Sequence, residues 1–280
     1  MEVLTARSAR VREARALLQA KYRRLRGEFL ADGPQPVREA IAAGAALAVF
    51  VESGSFDRWA AELTSARAAG VPLHIVDAAG FATLVSAQTP QGVVAVCRWA
   101  APTLVDLLAQ AGPRDAAASV PEHGQLVLAH EMADPGNAGA LIRVADAAGA
   151  LAVALSDRSV DPTNPKCVRS TAGSIFHLPV VPAGETGQAT HDLRSAGFRV
   201  LAADVTPEST DLFTAERDGL LAGRVAWVFG NEAHGLPEEV LSQVDSVVRI
   251  PILGRAESLN LATAAAVCLY AYARSQAGLG

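Results

Sequence analysis

Cysteine is scarce in this chain of 280 residues: Cys97, Cys167 and Cys268 lie far apart and are odd in number. They form neither a metal-spaced pair nor a disulfide framework, and they read as inert core thiols in a reducing compartment. No apolar run reaches about 18 residues, so no membrane span is expected. The N-terminus is charged from its second residue and lacks a signal-like apolar segment, which points to the cytoplasm. The dinucleotide fingerprint G-x-G-x-x-G is missing, as is a P-loop, and a nucleotide-dependent oxidoreductase is disfavoured accordingly. No Ser/His/Asp order is compelling and no metal-ligand set is present. Charged residues make up only 19% of the chain and apolar ones 50%, enough for a sizeable core and too little polarity for a disordered body.

The net charge of −5 argues by itself against a nucleic-acid partner, but the charge is unevenly spread. Residues 1–27 carry Arg7, Arg10, Arg12, Arg15, Lys21, Arg23, Arg24 and Arg26 against Glu2 and Glu13, a balance of +6 that leaves −11 for the remainder. A basic arm on an acidic body suits a polyanion held at one end, with Arg23, Arg24 and Arg26 as candidate RNA contacts. A solvated helix face is the alternative.

Periodicity predicts a basic helix over 8–29, then short helices and buried strands in alternation up to a strand at 92–97. A second alternating set begins with a strand at 125–129 and ends in a helix over 259–275. Strands alternating with helices define an α/β layer structure. The boundaries fall at a first domain over 1–106, a linker over 107–124 containing Gly112-Pro113 and Pro121, and a second domain over 125–280. Residues 261–272 of the last helix carry no charge on any face. Such a helix is buried on all sides, either inside the monomer or against a partner subunit.

Three turns at strand ends stand out, where α/β proteins place ligands. In Asp134-Pro-Gly-Asn-Ala-Gly139, Asn137 is placed to cap the following helix. Arg143 projects from that helix, either to meet a phosphate or carboxylate or to pair with Asp146. Gly230-Asn-Glu-Ala-His-Gly235 offers Glu232 as a proton acceptor or orienting group, and His234 reads as a solvent-facing loop residue. Gly254-Arg-Ala-Glu-Ser-Leu-Asn260 contributes Ser258, a plausible N-cap for the last helix, and Asn260.

These segments resemble the three signature motifs of the SpoU/TrmH family of RNA ribose 2′-O-methyltransferases: Asp134–Arg143, Val228–Leu236 and Ile250–Asn260. Asn164–Phe176 is similar to a fourth family segment, with Arg169 at its arginine. Lys21–Leu30, Val37–Ala40 and Thr89–Val94 resemble the substrate-binding domain of the ribosomal-RNA members, a domain akin to small ribosomal proteins. Thiostrepton- and avilamycin-type resistance enzymes belong to that group.

The resemblance implies a C-terminal trefoil-knotted α/β methyltransferase domain behind a smaller α/β RNA-binding domain. It implies S-adenosylmethionine as cofactor, held through Gly230, Ile250 and Leu259, with no metal. Asn137, Arg143, Glu232, Ser258 and Asn260 match the family's catalytic positions, and Arg169 joins the basic residues as a substrate contact. It further implies a homodimer acting on RNA, with 23S rRNA favoured by the front domain. Transfer RNA is the alternative substrate, and a non-catalytic RNA-binding factor on the same fold is the alternative class.

Overall fold

The computed structural model describes residues 2–86, 89–111 and 123–277. The chain divides into two compact units, 1–100 with 161–177, and 101–160 with 178–280.

The first unit runs β1 (Val3–Leu4), α1 (Ala9–Ala16), α2 (Ala20–Arg26), β2 (Glu28–Asp32), α3 (Pro34–Ala42), β3 (Ala46–Glu52), α4 (Ala60–Ala68), β4 (Leu73–Val76), α5 (Ala78–Ala82) and β5 (Val93–Arg98). Its sheet has the order β1-β4-β3-β5-β2. The first three strands run parallel, while β5 is antiparallel to both β3 and β2. Where periodicity suggests one helix over 8–29, the structure has two helices and the start of a strand. Gly27, with φ of 61°, turns the chain out of α2, and the short apolar run Phe29-Leu-Ala31, buried throughout, then suits β2. Val11, Leu17, Leu30, Phe50 and Phe81 are among the side chains that fill this unit's core.

The second unit begins with α6 (Leu104–Ala111), then β6 (Gly124–Ala129), α7 (Pro135–Ala147) and β7 (Val153–Ser156). Helix α6 occupies residues that composition suggests belong to a linker from 107 onward. It is amphipathic, and Leu104, Leu107 and Leu108 pack into the second unit's core. The remainder of that linker, 112–122, lies outside the described residues.

After β7 comes α8 (Pro165–Thr171), which belongs to the first unit with the rest of Asp161–His177. Sequence position alone assigns this stretch to the second domain, but its side chains dock elsewhere. Phe176 stacks on Phe29 at 5.7 Å between ring centroids, and His177 Nε2 lies 3.1 Å from Glu39 Oε2.

The second unit then continues with β8 (Val180–Gly184), α9 (Thr186–Ser195), β9 (Arg199–Ala203), β10 (Thr210–Asp211), α10 (Leu212–Arg217), β11 (Arg224–Phe229), α11 (Glu238–Leu241), β12 (Ser246–Arg249) and α12 (Leu261–Gln276). Its described strands form one parallel sheet in the order β10-β12-β9-β11-β6-β7-β8. The central strand β11 is buried along Val225–Phe229, as a strand covered on both faces should be.

Helix α12 is not buried all round. Ala262, Ala265, Cys268, Leu269 and Tyr272 face the core, while Tyr270 on the opposite face is 53% exposed. All three cysteines are buried. Burial pushes the Cys268 thiol up to about 12, in keeping with an inert core role.

Candidate active site

The carboxyl ends of β9, β11 and β12, with the turns that follow them and the starts of α7 and α12, enclose a cavity of about 480 Å³. That lies in the range of small-molecule sites, about 300–1,000 Å³. Gly230, Ile250 and Leu259 line it, as do Asn137, Glu232, Ser258 and Asn260. Seven of the residues singled out from sequence, drawn from three separate motifs, therefore meet around one space.

The turn after β11 is a tight closed loop. Asn231 N donates to Gly235 O at 3.0 Å, and Gly235 N donates back to Asn231 O at 2.9 Å. A Cβ on Gly230 would sit 2.5 Å from the Gly235 carbonyl carbon, so only glycine lets the loop fold back this closely. The Asn231 side chain pins the loop to the segment after β6, donating from Nδ2 to Glu131 O at 2.7 Å. Its Oδ1 accepts from Ala233 N at 2.9 Å. Asn231 is a positioning residue that sequence reasoning missed, although it sits inside the Gly-Asn-Glu wording of the motif.

Glu232 reaches from this loop to the start of α7. Its Oε1 accepts from Asn137 Nδ2 at 3.1 Å, and its two oxygens face the Asp134 and Ala133 amides at 3.4 Å each. Asn137 Oδ1 in turn accepts from Asn260 Nδ2 at 3.1 Å. The chain Asn260–Asn137–Glu232 thus links the three motifs through side chains alone.

Both caps expected from sequence are made by a neighbour. Asp134, not Asn137, caps α7, its Oδ1 accepting from Asn137 N at 2.9 Å. Asn260, not Ser258, caps α12, its Oδ1 accepting from Ala262 N at 3.0 Å. In each case the carboxylate or amide nearer in register to the first free N–H groups wins. The exchange frees the Asn137 side chain for Glu232 and Ser258 to line the cavity.

Three carboxylates, Asp204, Glu232 and Glu257, line the cavity, and the lining contains no Lys, Arg or His. Such a wall suits a ligand carrying positive charge. Asp204 also braces the loop, accepting from Leu236 N at 3.2 Å and from Val205 N at 2.7 Å. Nothing in its sequence context beyond the end of an apolar strand marked it.

Arg143 is not brought to this cavity: it stands exposed on α7, outside the lining. His234 is exposed, as expected of a loop residue. The four basic residues offered as RNA contacts differ sharply from one another. Arg24 is exposed, and Arg26 pairs with Glu28 while donating to Glu13 O at 3.0 Å. Arg169 lies 3.7 Å from Asp32, a buried carboxylate whose pKa desolvation raises against the pull of that guanidinium. Arg23 is only 5% exposed and is consumed by internal bonds, so it is a structural tether and not a surface contact.

With this geometry in place, comparison with known proteins settles the family. Residues 124–270 match the model of the SpoU rRNA methylase family, and 8–95 match the MRM3-like substrate-binding domain. The chain belongs to the SpoU rRNA methylase family.

It is 28% identical to the 23S rRNA (guanosine(2553)-2′-O)-methyltransferase RlmP of Bacillus subtilis, over 96% of this chain and 98% of that one. It is 30% identical to the 23S rRNA (uridine(2479)-2′-O)-methyltransferase of Streptomyces viridochromogenes, over 98% and 92% respectively. Among solved structures, an AdoMet-bound rRNA methyltransferase from Sinorhizobium meliloti superposes with a TM-score of 0.78 at 29% identity, covering 98% of both chains.

Proposed function

We propose that this protein transfers a methyl group from S-adenosylmethionine to the 2′-hydroxyl of a ribose in 23S rRNA. The observation that carries the reading is the Asn260–Asn137–Glu232 chain on the wall of an acidic cavity. The cavity fits the cofactor on two counts. Gly230 leaves its backbone open to close approach, and the carboxylate lining complements a sulfonium and an ammonium group. When bound there, the cofactor supplies an activated methyl group, so the protein's task is to position the hydroxyl and assist loss of its proton.

Gly230, Ile250 and Leu259 hold the cofactor, largely through backbone and apolar surface. Glu232, oriented by Asn137, is placed to accept or steer the ribose proton. Ser258 and Asn260 hold the third turn and the ribose. Arg143 stays protonated and serves the adjoining phosphate and the developing oxyanion.

Because Arg143 stands outside its own chain's cavity, the reading has it act on the cavity of a second protomer. The apolar face of α12 around Tyr270 and the exposed Leu253 give a homodimer its contact surface. Light scattering at micromolar concentration is expected to give twice the chain mass, and a monomer there would overturn this part. The backbone path expected of the second unit is the trefoil knot of the family, and Arg24, Arg26 and Arg169 are the RNA contacts that remain exposed. An rRNA substrate places the work in the cytoplasm.

The test is tritium transfer from labelled cofactor to 23S rRNA and to tRNA, with primer extension to map the modified nucleotide. Transfer to 23S rRNA is expected. Glu232→Gln should lower turnover by about 100-fold or more while calorimetry still detects cofactor binding. Arg143→Lys should also lower turnover, and near-normal activity would count against a bidentate phosphate clamp. Methylation of tRNA alone would move the substrate, and absence of heat with the cofactor would leave an RNA-binding factor.

A further inference from the structure

A second cavity, of about 810 Å³, lies on the far side of the Asn231–Gly235 loop. It is bounded by residues that follow β6 and β8, by the first turns of α9, and by α11. Asn231 and Gly235 line both cavities, so this loop is a shared wall between them.

The lining is unlike that of the cofactor cavity. It offers three imidazoles, His130, His191 and His234, and, besides the Asn231 already bound to Glu131, two carboxamides, Gln188 and Gln243. Arg158, the one Lys or Arg among its described lining residues, is taken up by an ion pair with Glu131. Glu185 and Glu239 remain as net negative charge, which disfavours a phosphate. No described group of His, Cys, Asp and Glu could hold a metal ion. His130 donates to or accepts from Thr186 Oγ1 at 2.7 Å, and burial lowers its pKa against the opposing pull of Glu131, so the ring is neutral at neutral pH. Imidazole rings and carboxamides are groups that stack on a base and read its edge.

The backbone is strained at this cavity. Glu131 and Arg158, the two members of the ion pair, both adopt left-handed conformations with φ of 45° and 64°. The strained Glu131 is also the residue whose carbonyl holds Asn231, and its N–H donates to Ser156 Oγ at 2.8 Å. These hydrogen bonds tie the cavity floor to the loop carrying Glu232.

We propose that this second cavity binds the base of an unstacked RNA nucleotide beside the methylated ribose, with His191 and His234 against its face and Gln188 and Gln243 at its edge. The proposal rests on the rRNA methylation described above.

Transcripts of 23S rRNA substituted with 4-thiouridine or 6-thioguanosine are irradiated with the full-length wild-type protein and the adducts mapped by mass spectrometry. Adducts at peptides containing His191 or His234 are expected, and their absence from both would overturn the proposal. His191→Ala and Gln243→Ala are expected to raise KM for 23S rRNA about tenfold, with cofactor affinity by calorimetry and the melting profile unchanged. A KM within twofold of wild type in both variants would also overturn it. A wild-type protein that does not methylate 23S rRNA would instead overturn the function proposed above, which the same assay reads separately.

Discussion

Gly230→Ala is expected to cost this protein its cofactor, lowering affinity for S-adenosylmethionine by at least about 100-fold, or about 2.7 kcal/mol. A Cβ at this position would lie 2.5 Å from Gly235 C, 2.6 Å from Gly235 O and 2.8 Å from Leu236 N. All three are backbone atoms, so no side chain can rotate aside to make room. The loop must open, breaking the paired bonds between Asn231 and Gly235 and moving Glu232 off Asn137. The same substitution at Gly254, in the third motif, meets nothing within 4 Å and should leave affinity within a factor of two. Calorimetric titration of both variants decides the matter: equal affinities would mean that the tight loop after β11 has no part in holding the cofactor.

How much of this was legible beforehand depended on how local the cause was. Gly230, Ile250 and Leu259 were reached through the resemblance to the SpoU/TrmH motifs, whose wording is local; in the fold the first two follow the ends of β11 and β12 and the third precedes α12. The capping assignments were not legible. Asp134 and Asn137 are both good N-caps, as are Ser258 and Asn260, and sequence does not say which side chain reaches the free amides. The outcome matters, because the amide released from capping α7 is the one that orients Glu232.

Asn231 and Asp204 act through backbone atoms of residues on other turns, and such partners exist only after folding. The α/β alternation was legible, whereas β2 was hidden behind a basic helix pattern that Gly27 interrupts. The placement of Asp161–His177 in the first unit was likewise out of reach, since it is decided by Phe29, Glu39 and Arg23 far back in the chain.

Arg23→Ala should destabilise the first unit by about 3 kcal/mol, the lower end of the cost of stripping one partner from a buried ion pair, because Asp161 keeps 18% of its side chain in water. The guanidinium makes bonds in three directions. Nη2 meets Asp161 Oδ2 at 2.6 Å, Nε meets Thr163 Oγ1 at 3.1 Å, and Nη1 donates to the Leu17 and Leu18 carbonyls at 3.1 and 3.0 Å. Those carbonyls belong to the break between α1 and α2, so one side chain stitches the helix pair to the incoming segment.

Scanning calorimetry should show the corresponding transition lowered by roughly 10 °C. Arg24→Ala, at an exposed neighbour, should leave it in place and instead reduce the salt dependence of RNA binding.

The pair also sets an acid limit. Desolvation raises the Asp161 pKa, but the bonds from Thr163 and Arg23 outweigh it and the net shift is downward from 3.8. A carboxylate with a depressed folded-state pKa contributes its stability above the unfolded value and loses it as the pH falls through the folded one. The gap between wild type and Arg23→Ala should therefore be full at neutral pH and narrow below about pH 4. A gap unchanged by acid, or a variant as stable as wild type, would mean that Arg23 is the solvated basic residue its sequence neighbours suggest.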